Sequence, residues 1–362
     1  MTPPRSTLDG ELVKSAAREA GFHEVGIARA VPLDPGPLDR MLERGFEADM
    51  AWLRTQRAER LDPGRLLPGA RSVVVLALGH SAGRERPDDP ARRGAAVGSA
   101  GKVARYARGR DYHIVMKRRL ADLAARLRAL DPGVRLFASA DIAPVMEKAW
   151  AQRAGVGWVG KNGCLITRRL GSWVLLATVI LDRDLEPDAP HPEMCGTCDA
   201  CLGACPTGAL PEPGLLDARL CLSFQTIERR GPVPEAVAER SGGWAFGCDD
   251  CQTVCPWNRV AEERCEKDLA PRPGQSALDL GEMLRLGPEG FHRRFDGTAL
   301  ARARHDGLLR NAILAAGWLG DRRHLEAVRA HLGSELPGVR QAALWAAARL
   351  ERGGLDSGGS GS

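Results

Sequence analysis

Eight of the ten cysteines in this 362-residue chain lie between residues 195 and 255, and their spacing is typical of an electron-transfer protein. One run, C-x2-C-x2-C-x3-C-P, is formed by Cys195, Cys198, Cys201, Cys205 and Pro206. In bacterial ferredoxins the first three thiolates of this run hold one [4Fe–4S] cluster, and the fourth reaches a different cluster. The run therefore predicts a second set of cysteines.

The second set is an incomplete ferredoxin repeat. A shorter run, C-x2-C-x3-C-P, is formed by Cys248, Cys251, Cys255 and Pro256, and Cys221 stands alone between the two runs. Crossed ligation predicts that the first cluster is held by Cys195, Cys198, Cys201 and Cys255. It predicts that the second is held by Cys205, Cys221, Cys248 and Cys251. Two four-thiolate zinc knuckles are the alternative, but zinc does not require C-P at the end of both runs.

Two cysteines remain outside these sets. We expect Cys164 and Cys265 to be packing or surface residues, since a free cysteine behaves as a small apolar side chain. Two [4Fe–4S] clusters would form an electron path of low potential, so a reducible group is expected at its end.

Two other motifs resemble cofactor sites but lack the required context. The segment GVGWVGKN at 155–162 fits G-x-G-x-x-G and most of a Walker A loop, yet it follows a predicted helix and leads into a strand. We expect it to let the backbone approach another flat cofactor, and not to bind a nucleotide. The segment beginning Asp111-Tyr-His113 starts like the D-x-H-x-x-G loop that places a His beneath cobalamin. Because Met116 occupies the glycine position, we expect His113 to be structural.

Asp141 is the candidate acid. It precedes Pro144 at the start of a helix predicted from Ile142 to Arg153, where a carboxylate commonly caps the helix N-terminus. If Asp141 instead faces a substrate pocket, it could act as a general acid, because reductive cleavage of a C–O bond needs a proton for the leaving oxygen. The residues alone leave both interpretations open.

The composition is that of a folded globular protein. Hydrophobic residues make up 44% and charged residues 27%, which excludes a fibrous or wholly disordered chain. The longest apolar runs, at 72–78 and 173–181, are too short to cross a bilayer, and the N-terminus has no apolar signal region. We therefore expect a cytoplasmic protein with no membrane contact. The net charge of +5 permits a polyanionic partner without requiring one.

Hydrophobic patterning predicts the elements that position these residues. Strands are expected at 73–78, 134–137 and 173–181, and a helix at His113–Leu130. Near the C-terminus, RNAILAAG at 310–317 recurs in type as RQAALWAA at 340–347, which suggests a HEAT-like helical repeat. The expected division is an α/β domain at 1–185, a ferredoxin-like domain at 186–268, a HEAT-like domain at 269–352 and a flexible tail at 353–362.

Four segments, together with the eight cysteines, resemble the epoxyqueuosine reductase family. They are ARYARGRDYH at 104–113, DIAPVMEKAW at 141–150, GVGWVGKN at 155–162 and GCDDCQTVCPWN at 247–258. The resemblance implies an α/β (α+β) cobalamin-binding domain, an inserted bacterial ferredoxin-like domain with two [4Fe–4S] clusters, and a C-terminal all-α HEAT-like repeat. It further implies the last step of queuosine synthesis, in which the epoxide of epoxyqueuosine in tRNA is reduced to the cyclopentene.

The resemblance also assigns roles to residues. Electrons would pass through the clusters to base-off cob(II)alamin, and the proton donor of the family matches Asp141. The implied cobalamin contacts are Arg60, Tyr106, Asp141, Leu165, Leu176, Ser223, Cys248 and Asp249. The implied tRNA contacts are Arg230 and Gly231. Arg-rich segments at 105–110 and 293–304 could add phosphate contacts, although such arginines are as often solvated surface residues.

The resemblance implies an external low-potential electron donor of the ferredoxin or flavodoxin type, and we expect a monomer. A corrinoid-dependent reductive dehalogenase of a small molecule shares the cobalamin and the two clusters. Such enzymes are typically exported with a twin-Arg signal, which this sequence lacks, and they are not expected to carry a helical repeat. A non-catalytic ferredoxin-type carrier is the third possibility, but it would leave the region at 1–185 without a role.

Overall fold

The structure is a computed structural model that describes residues 8–80, 100–263 and 265–353. Apart from Gly353, the predicted flexible tail lies outside the described residues. Within the described ranges, no helix combines the length and the apolar character needed to cross a membrane.

The described residues form three β-sheets. Their strands are β1 (Glu24–Arg29), β2 (Ser72–Gly79), β3 (Ala100–Val103), β4 (Leu136–Ser139), β5 (Trp158–Val159), β6 (Leu165–Ile166), β7 (Val174–Leu181), β8 (Trp244–Phe246) and β9 (Ala277–Asp279). The main sheet has the order β1-β2-β7-β4 and is antiparallel throughout. A second sheet has the order β8-β3-β9, and β5 and β6 form a hairpin. This mixture of helices with an antiparallel sheet is an α+β arrangement.

Helices surround the sheets. Those described are α1 (Gly10–Glu19), α2 (Gly36–Glu43), α3 (Trp52–Thr55), α4 (Arg57–Leu61), α5 (Tyr112–Leu130), α6 (Glu147–Arg153), α7 (Ala200–Ala204), α8 (Leu222–Ile227), α9 (Glu235–Ala238), α10 (Asp250–Thr253), α11 (Pro256–Arg259), α12 (Leu280–Met283), α13 (Pro288–Phe295), α14 (Arg304–Leu319), α15 (Leu325–Arg329) and α16 (Pro337–Glu351). The helices of the cysteine-rich region, α7, α10 and α11, are a single turn or little more. Cysteine positions there are set mainly by loops.

Strand β2 is buried along its whole length because helices cover both faces of the main sheet. Val74, Leu76 and Leu78 pack with α1 and α5, whereas Val73 and Val75 pack with α2 and α6. A strand covered on both faces has no need to alternate polar and apolar residues. This accounts for the continuous apolar run in the sequence.

Four of the predicted elements, β2, β7, α5 and β4, occur close to their expected positions. Helix α5 begins at Tyr112, with the carboxylate of Asp111 accepting the backbone N–H of His113. The strand expected at 134–137 lies two residues later, as β4, because its register is set by pairing with β7. Leu136 lies opposite Leu181, and the pairing continues to the end of β4.

The helix expected from Ile142 begins only at Glu147, and its N-cap position is Met146. The N-cap interpretation of Asp141 is therefore wrong. Asp141 lies in the preceding turn with a left-handed φ of 65°, and its backbone N–H donates to Glu147 Oε1 at 3.0 Å. Since its carboxylate is not used to cap the helix, it is available to other side chains.

The C-terminal helices share one apolar core with the second sheet. Residues of α14 and α16 pack with those of β3, β8 and β9. Strand β3 therefore connects the chain just before α5 to the C-terminal region. The division of the chain into three domains stays a prediction.

Candidate functional site

The structure brings four of the predicted cluster ligands around one small cavity. Its cysteines are Cys195, Cys198, Cys201 and Cys255. Cys198 is exposed and Cys255 is buried, so this cavity lies near the surface with one edge in solvent. All ten cysteines are free thiols. Within the described part of the chain, no three His, Cys, Asp or Glu side chains form a group arranged for a single metal ion.

The other four predicted ligands line a second and much larger cavity of about 900 Å³. They are Cys205, Cys221, Cys248 and Cys251. Cys164, which we expected to be a packing or surface residue, lines the same cavity, and a hydrogen bond with Cys251 lowers the pKa of Cys164. The sequence offered no signal for this, because Cys164 lies far along the chain from the cysteine runs.

The chemistry of the buried thiols fits iron–sulfur clusters. Burial raises the pKa of Cys221 and raises that of Cys248 well above its ordinary value. Burial likewise raises the pKa of Cys201 and Cys255. A buried thiolate needs a positively charged partner. The irons of a cluster supply this charge, because iron binds the thiolate and not the thiol.

A glycine-rich hairpin separates the two cavities. It consists of β5, β6 and the turn between them, and Asn162 borders both cavities. Lys161 Nζ donates to the carbonyl of Gly196 at 2.7 Å on one side, and Asn162 Nδ2 donates to the carbonyl of Cys251 at 3.4 Å on the other. A Cβ on Gly157 would lie 2.2 Å from the carbonyl oxygen of Ile166. This glycine is therefore required for the close approach of the two strands, and the segment opens no helix of a nucleotide site.

Beyond the thiols, the large cavity is mainly apolar. Leu33, Pro37, Leu38 and Met41, in and just before α2, line one side of it. Residues of α6 and of the segment 209–216 line other parts, among them Met146, Lys148, Ala149, Gln152, Ala209, Leu210, Leu215 and Leu216. A volume at the upper end of the usual range for small-molecule sites suits a large, flat and mostly apolar cofactor. The contribution of α2 was missed, since no motif in the sequence distinguishes it from an ordinary amphipathic helix.

Asp141 lies at the centre of a hydrogen-bonded group that Glu147 links to this cavity, since Glu147 accepts the backbone N–H of Asp141 and its neighbours Met146 and Lys148 line the cavity. Tyr112 Oη donates to Asp141 Oδ2 at 2.5 Å, and His113 Nε2 lies 3.3 Å from the same oxygen. His113 Nδ1 lies 2.9 Å from Asp111 Oδ1. The rings of Tyr112 and His113 stack with their centroids 4.0 Å apart. The carboxylate of Asp141 is thus fixed by the first turn of α5, while its side chain remains 63% exposed.

The pKa shifts of Asp141, His113 and Glu147 indicate which members of this group are charged at neutral pH. The hydrogen bond with His113 holds the pKa of Asp141 below its ordinary value. Burial would lower the pKa of His113, but the hydrogen bonds with Asp111 and Asp141 outweigh it and raise that pKa to about 9. Burial raises the pKa of Glu147 to about 7. At neutral pH the group therefore contains an ionised Asp141 next to a protonated His113, so His113 has a more specific place than the structural role we expected.

The predicted cobalamin contacts fall into two groups. Ser223 and Cys248 line the large cavity. Leu165 and Leu176 belong to an apolar cluster that also contains Met146, a residue of the cavity wall. Ser223 and Cys248 therefore lie in the cavity wall, and Leu165 and Leu176 share an apolar cluster with part of that wall.

The remaining predicted contacts lie towards Asp141. Burial lowers the pKa of Arg60, and the negative charges of Glu147 and Asp141 partly offset this effect. The ring of Tyr106 meets that of Tyr112 edge to face, with centroids 5.8 Å apart. Asp249 is 4% exposed and its carboxylate accepts the backbone N–H of Arg105 at 2.8 Å. The two groups meet at 146–148, because Met146 and Lys148 line the cavity and Glu147 binds the backbone of Asp141.

The two predicted tRNA contacts, Arg230 and Gly231, lie in the loop that follows α8. Arg230 Nη1 donates to the carbonyl of Ala303 at 3.2 Å. Nearby, Arg302 forms a two-pronged pair with Glu228, with both N–O distances 3.0 Å. The charge of Arg302 also lowers the pKa of Asp141. A basic surface therefore lies within electrostatic reach of the candidate acid.

The Arg-rich segments differ in what they can contact. Arg108 is buried and its Nε donates to the carbonyl of Val103 at 2.9 Å, and the guanidinium of Arg105 lies 4.6 Å from the ring centre of Trp173. The expectation of a phosphate contact is wrong for Arg108, because its side chain stabilises the fold. Arg293 and Arg302 are largely exposed, and each pairs with a glutamate, Arg293 with Glu289 and Arg302 with Glu228.

Comparisons with known proteins agree with this geometry. Residues 60–141 match the family model described as epoxyqueuosine reductase QueG, DUF1730. Residues 194–258 match a 4Fe–4S double cluster binding domain. The second match covers all eight cysteines assigned above.

Whole-chain similarity extends over most of the molecule. The epoxyqueuosine reductase of Gloeobacter violaceus is 46% identical over 317 residues, which cover 85% of this chain and 96% of that protein. A crystal structure of epoxyqueuosine reductase with an epoxyqueuosine-modified tRNA-Tyr stem loop is 30% identical, with a TM-score of 0.84 over 94% of this chain and 89% of that chain. The Bacillus subtilis enzyme, in a structure with its catalytic aspartate loop swung out of the active site, is 30% identical. Its TM-score is 0.83 over 94% of this chain and 90% of that chain.

Proposed function

The chain belongs to the epoxyqueuosine reductase family, and we propose from this premise that it reduces epoxyqueuosine to queuosine in tRNA. The net reaction removes the epoxide oxygen as water, leaves a carbon–carbon double bond and consumes two electrons and two protons. One observation carries the proposal. A cavity with five thiols in its wall is also lined by Met146 and Lys148, and Glu147 between them accepts the backbone N–H of Asp141. Asp141 is an exposed aspartate whose carboxylate is held by Tyr112 and His113.

The cofactors we propose are two [4Fe–4S] clusters and base-off cob(II)alamin. The first cluster would be held by Cys195, Cys198, Cys201 and Cys255, and the second by Cys205, Cys221, Cys248 and Cys251. The large apolar cavity, with Ser223 and Cys248 in its wall, fits the cobalamin. When bound, these groups would supply single electrons and a reducing centre at the substrate.

The protein would supply the proton through Asp141. Because its pKa is lowered, Asp141 is ionised before substrate binds, so a proton must reach it from a neighbour. His113 is protonated at neutral pH and its Nε2 lies 3.3 Å from Asp141 Oδ2. Asp111 holds the other ring nitrogen, which keeps the imidazole oriented toward Asp141. Asp141 would then donate to the epoxide oxygen as a general acid.

The RNA would be bound by the loop at 229–231 and by exposed arginines around it. Arg230 and Gly231 are the assigned contacts, and Arg302 extends the basic surface toward Asp141. RNA modified on a single base is recognised best when that base is unstacked and single-stranded. The helices α14 and α16 support this surface, and we propose that they form the HEAT-like repeat.

The oligomeric state, the compartment and the electron donor are proposed on the same grounds. We propose a monomeric cytoplasmic enzyme with an external low-potential donor of the ferredoxin or flavodoxin type. Electrons would enter at the cavity of Cys198, because that edge is exposed. The reductive dehalogenase alternative is not favoured, since relatives of this identity and coverage are epoxyqueuosine reductases.

The test is conversion of a defined RNA. An anticodon stem loop carrying epoxyqueuosine, incubated anaerobically with reconstituted protein and a strong reductant, is expected to yield queuosine in nucleoside mass spectra. An unchanged nucleoside with intact cluster and cobalamin spectra would contradict the proposal.

A further inference from the structure

Arg310 is a fully buried cation, 2% exposed, that binds the loop after α8. It lies on α14, and its guanidinium donates only to groups of the protein. Nη1 donates to the carbonyls of Arg229 and Gly231, both at 2.8 Å, and Nη2 donates to that of Gln225 at 2.7 Å. A single side chain therefore binds three backbone carbonyls, one in α8 and two in the loop after it.

The next residue, Asn311, extends the same arrangement. Its Oδ1 accepts from Arg310 Nε at 3.1 Å, and its Nδ2 donates to the carbonyl of Thr226 at 2.7 Å and to that of Ala245 at 2.9 Å. Ala245 lies in β8, which leads directly to Cys248. The pair thus connects the loop after α8 to the strand before the second cysteine run.

The loop is also contacted by the start of α16. A Cβ on Gly338 would lie 2.9 Å from the carbonyl oxygen of Gly231, so only glycine permits the observed approach. The loop is therefore in contact with both α14 and the start of α16. Its outer side carries Arg230, close to the exposed Arg302 and Arg304.

We propose that Arg310 and Asn311 are positioning residues for RNA binding, which hold the end of α8 and the loop after it, residues 225–231, in the conformation that presents Arg230 and Gly231 to the RNA backbone. This inference rests on the proposed function. Neither residue would touch the RNA. Holding the loop in advance would lower the entropy cost of ordering it on binding.

The second half of the repeat shows that the repeat itself does not require a buried arginine at this position. Arg340 occupies the position of α16 that corresponds to Arg310 in the sequence repeat. It is exposed and its Nη1 donates to a single carbonyl, that of Ser334, at 2.7 Å. A buried guanidinium is costly unless all its donors are satisfied. The carbonyls of the loop, and not the packing of the repeat, account for an arginine at position 310.

Two variants test the proposal through different contacts of the loop. Arg310→Lys keeps the charge but cannot reach three carbonyls. Gly338→Ala keeps the guanidinium but places a Cβ 2.9 Å from the carbonyl oxygen of Gly231 and 3.4 Å from Arg310 Cδ. Arg340→Lys and Gly333→Ala are the matched controls, because a Cβ on Gly333 meets open space. The readouts are the Kd for an unmodified anticodon stem loop by fluorescence anisotropy, kcat and KM for the epoxyqueuosine-modified stem loop, and the cluster absorption spectrum.

Both test variants are expected to raise Kd and KM by roughly threefold to tenfold, with kcat and the cluster spectrum unchanged, whereas both controls behave as wild type. Unchanged Kd and KM in folded Gly338→Ala would overturn the proposal. If Arg310→Lys does not fold, Gly338→Ala decides alone, and if that variant also unfolds, the role is core packing and the proposal is wrong. Failure of the wild type to bind or convert the stem loop would instead contradict the proposed function.

Discussion

At the scale of single residues, the proposed chemistry depends on a carboxylate that is not used to cap a helix. Asp141 adopts a left-handed backbone conformation, and its carboxylate binds Tyr112 and His113. Strained backbone of this kind is commonly kept where a side chain must point in a particular direction. The backbone conformation and the hydrogen bonds together fix the orientation of one carboxylate oxygen, which the proposed proton transfer requires.

Asp141→Asn should abolish most of the activity without loss of cofactors. General acid catalysis typically contributes on the order of 10² to 10⁴ in rate, and an amide cannot supply the proton. We expect kcat for the modified stem loop to fall by at least about 100-fold, with RNA affinity and cluster spectra unchanged. Asp122→Asn, on an exposed position of α5, is the control and should retain full activity. Wild-type kcat in Asp141→Asn would show that the proton comes from elsewhere.

His113 should make the stability of the protein depend on pH. Its pKa is raised from 6.5 to about 9 in the fold, so its contribution to the free energy of unfolding is fully present below pH 6.5 and is lost as the pH rises through about 9. Because the site is partly solvated, we expect an effect on the order of 1 kcal/mol. The Tm difference between wild type and His113→Gln should be largest at pH 6 and vanish above pH 9.

The control for this measurement is His292→Gln, since His292 also pairs with an aspartate but lies on an exposed helix face. Its Tm difference from wild type should be small at every pH. A His113→Gln difference that stays constant between pH 6 and 9.5 would contradict the raised pKa.

The sequence predicts those parts of the site whose residues are close together along the chain, and it misses those that only tertiary packing brings together. The spacing of the cysteine runs is local and sufficed to propose two sets of four, which the structure brings to two cavities. The partners of Asp141 were not found, because Tyr112 and His113 reach it only through tertiary packing. Their place directly after Asp111, at the start of a long predicted helix, was visible in the sequence but gave no sign that they reach Asp141.

At the scale of elements, the hairpin of β5 and β6 forms the wall between the two cavities. It also places Cys164, which belongs to neither predicted set of four, beside the second set. Cys164 is next to Cys251, so five thiols line one cavity although a cluster needs four. Our assignment excludes Cys164 from the ligands. The positions of the five thiols do not show which four bind the cluster, but substituting them one at a time does.

Cys251→Ala should remove the iron of one cluster, whereas Cys164→Ala should leave the iron content at the wild-type value. Iron and acid-labile sulfide analysis of anaerobically reconstituted protein, with electron paramagnetic resonance of the reduced form, measures both. Cys265→Ala serves as a control, since Cys265 lies away from both cavities and donates to the carbonyl of His80. Loss of a cluster in Cys164→Ala together with its retention in Cys251→Ala would reverse the assignment.

Elements determined by long-range pairing were the least predictable. The apolar runs of β2 and β7 were recognisable because they are buried on both faces, but β4 was displaced by its pairing register with β7. The start of α6 was misjudged because Asp141 and Pro144 carry the local pattern of a helix N-terminus. Glu147 binds the backbone N–H of Asp141 instead, and this contact is invisible to local patterning.

At the scale of the whole molecule, the site lies where three regions meet. The main sheet and its helices provide Asp141, the cysteine loops provide the cavity wall, and α14 supports the basic loop at 229–231. The exposed arginines around that loop should bind RNA chiefly through its phosphates, so affinity should fall as salt rises.

Arg230→Gln should weaken stem-loop binding in a salt-dependent manner. Removing one phosphate contact is expected to lower the slope of log K against log salt by about one. Arg126→Gln is the control, because Arg126 pairs with Asp122 and Glu19 on α5 and α1. Titrations between low and moderate salt measure both slopes. Identical slopes for Arg230→Gln and wild type would remove Arg230 from the RNA contacts.

The central claim is tested most directly by the fate of the epoxide oxygen. Cluster-reconstituted protein, a strong reductant and tRNA carrying epoxyqueuosine are incubated anaerobically with and without added cobalamin, and the nucleosides are analysed by mass spectrometry. We predict that epoxyqueuosine loses one oxygen to become queuosine only when cobalamin is present. An unchanged nucleoside in the presence of intact clusters and bound cobalamin, or equal conversion without cobalamin, would contradict the account.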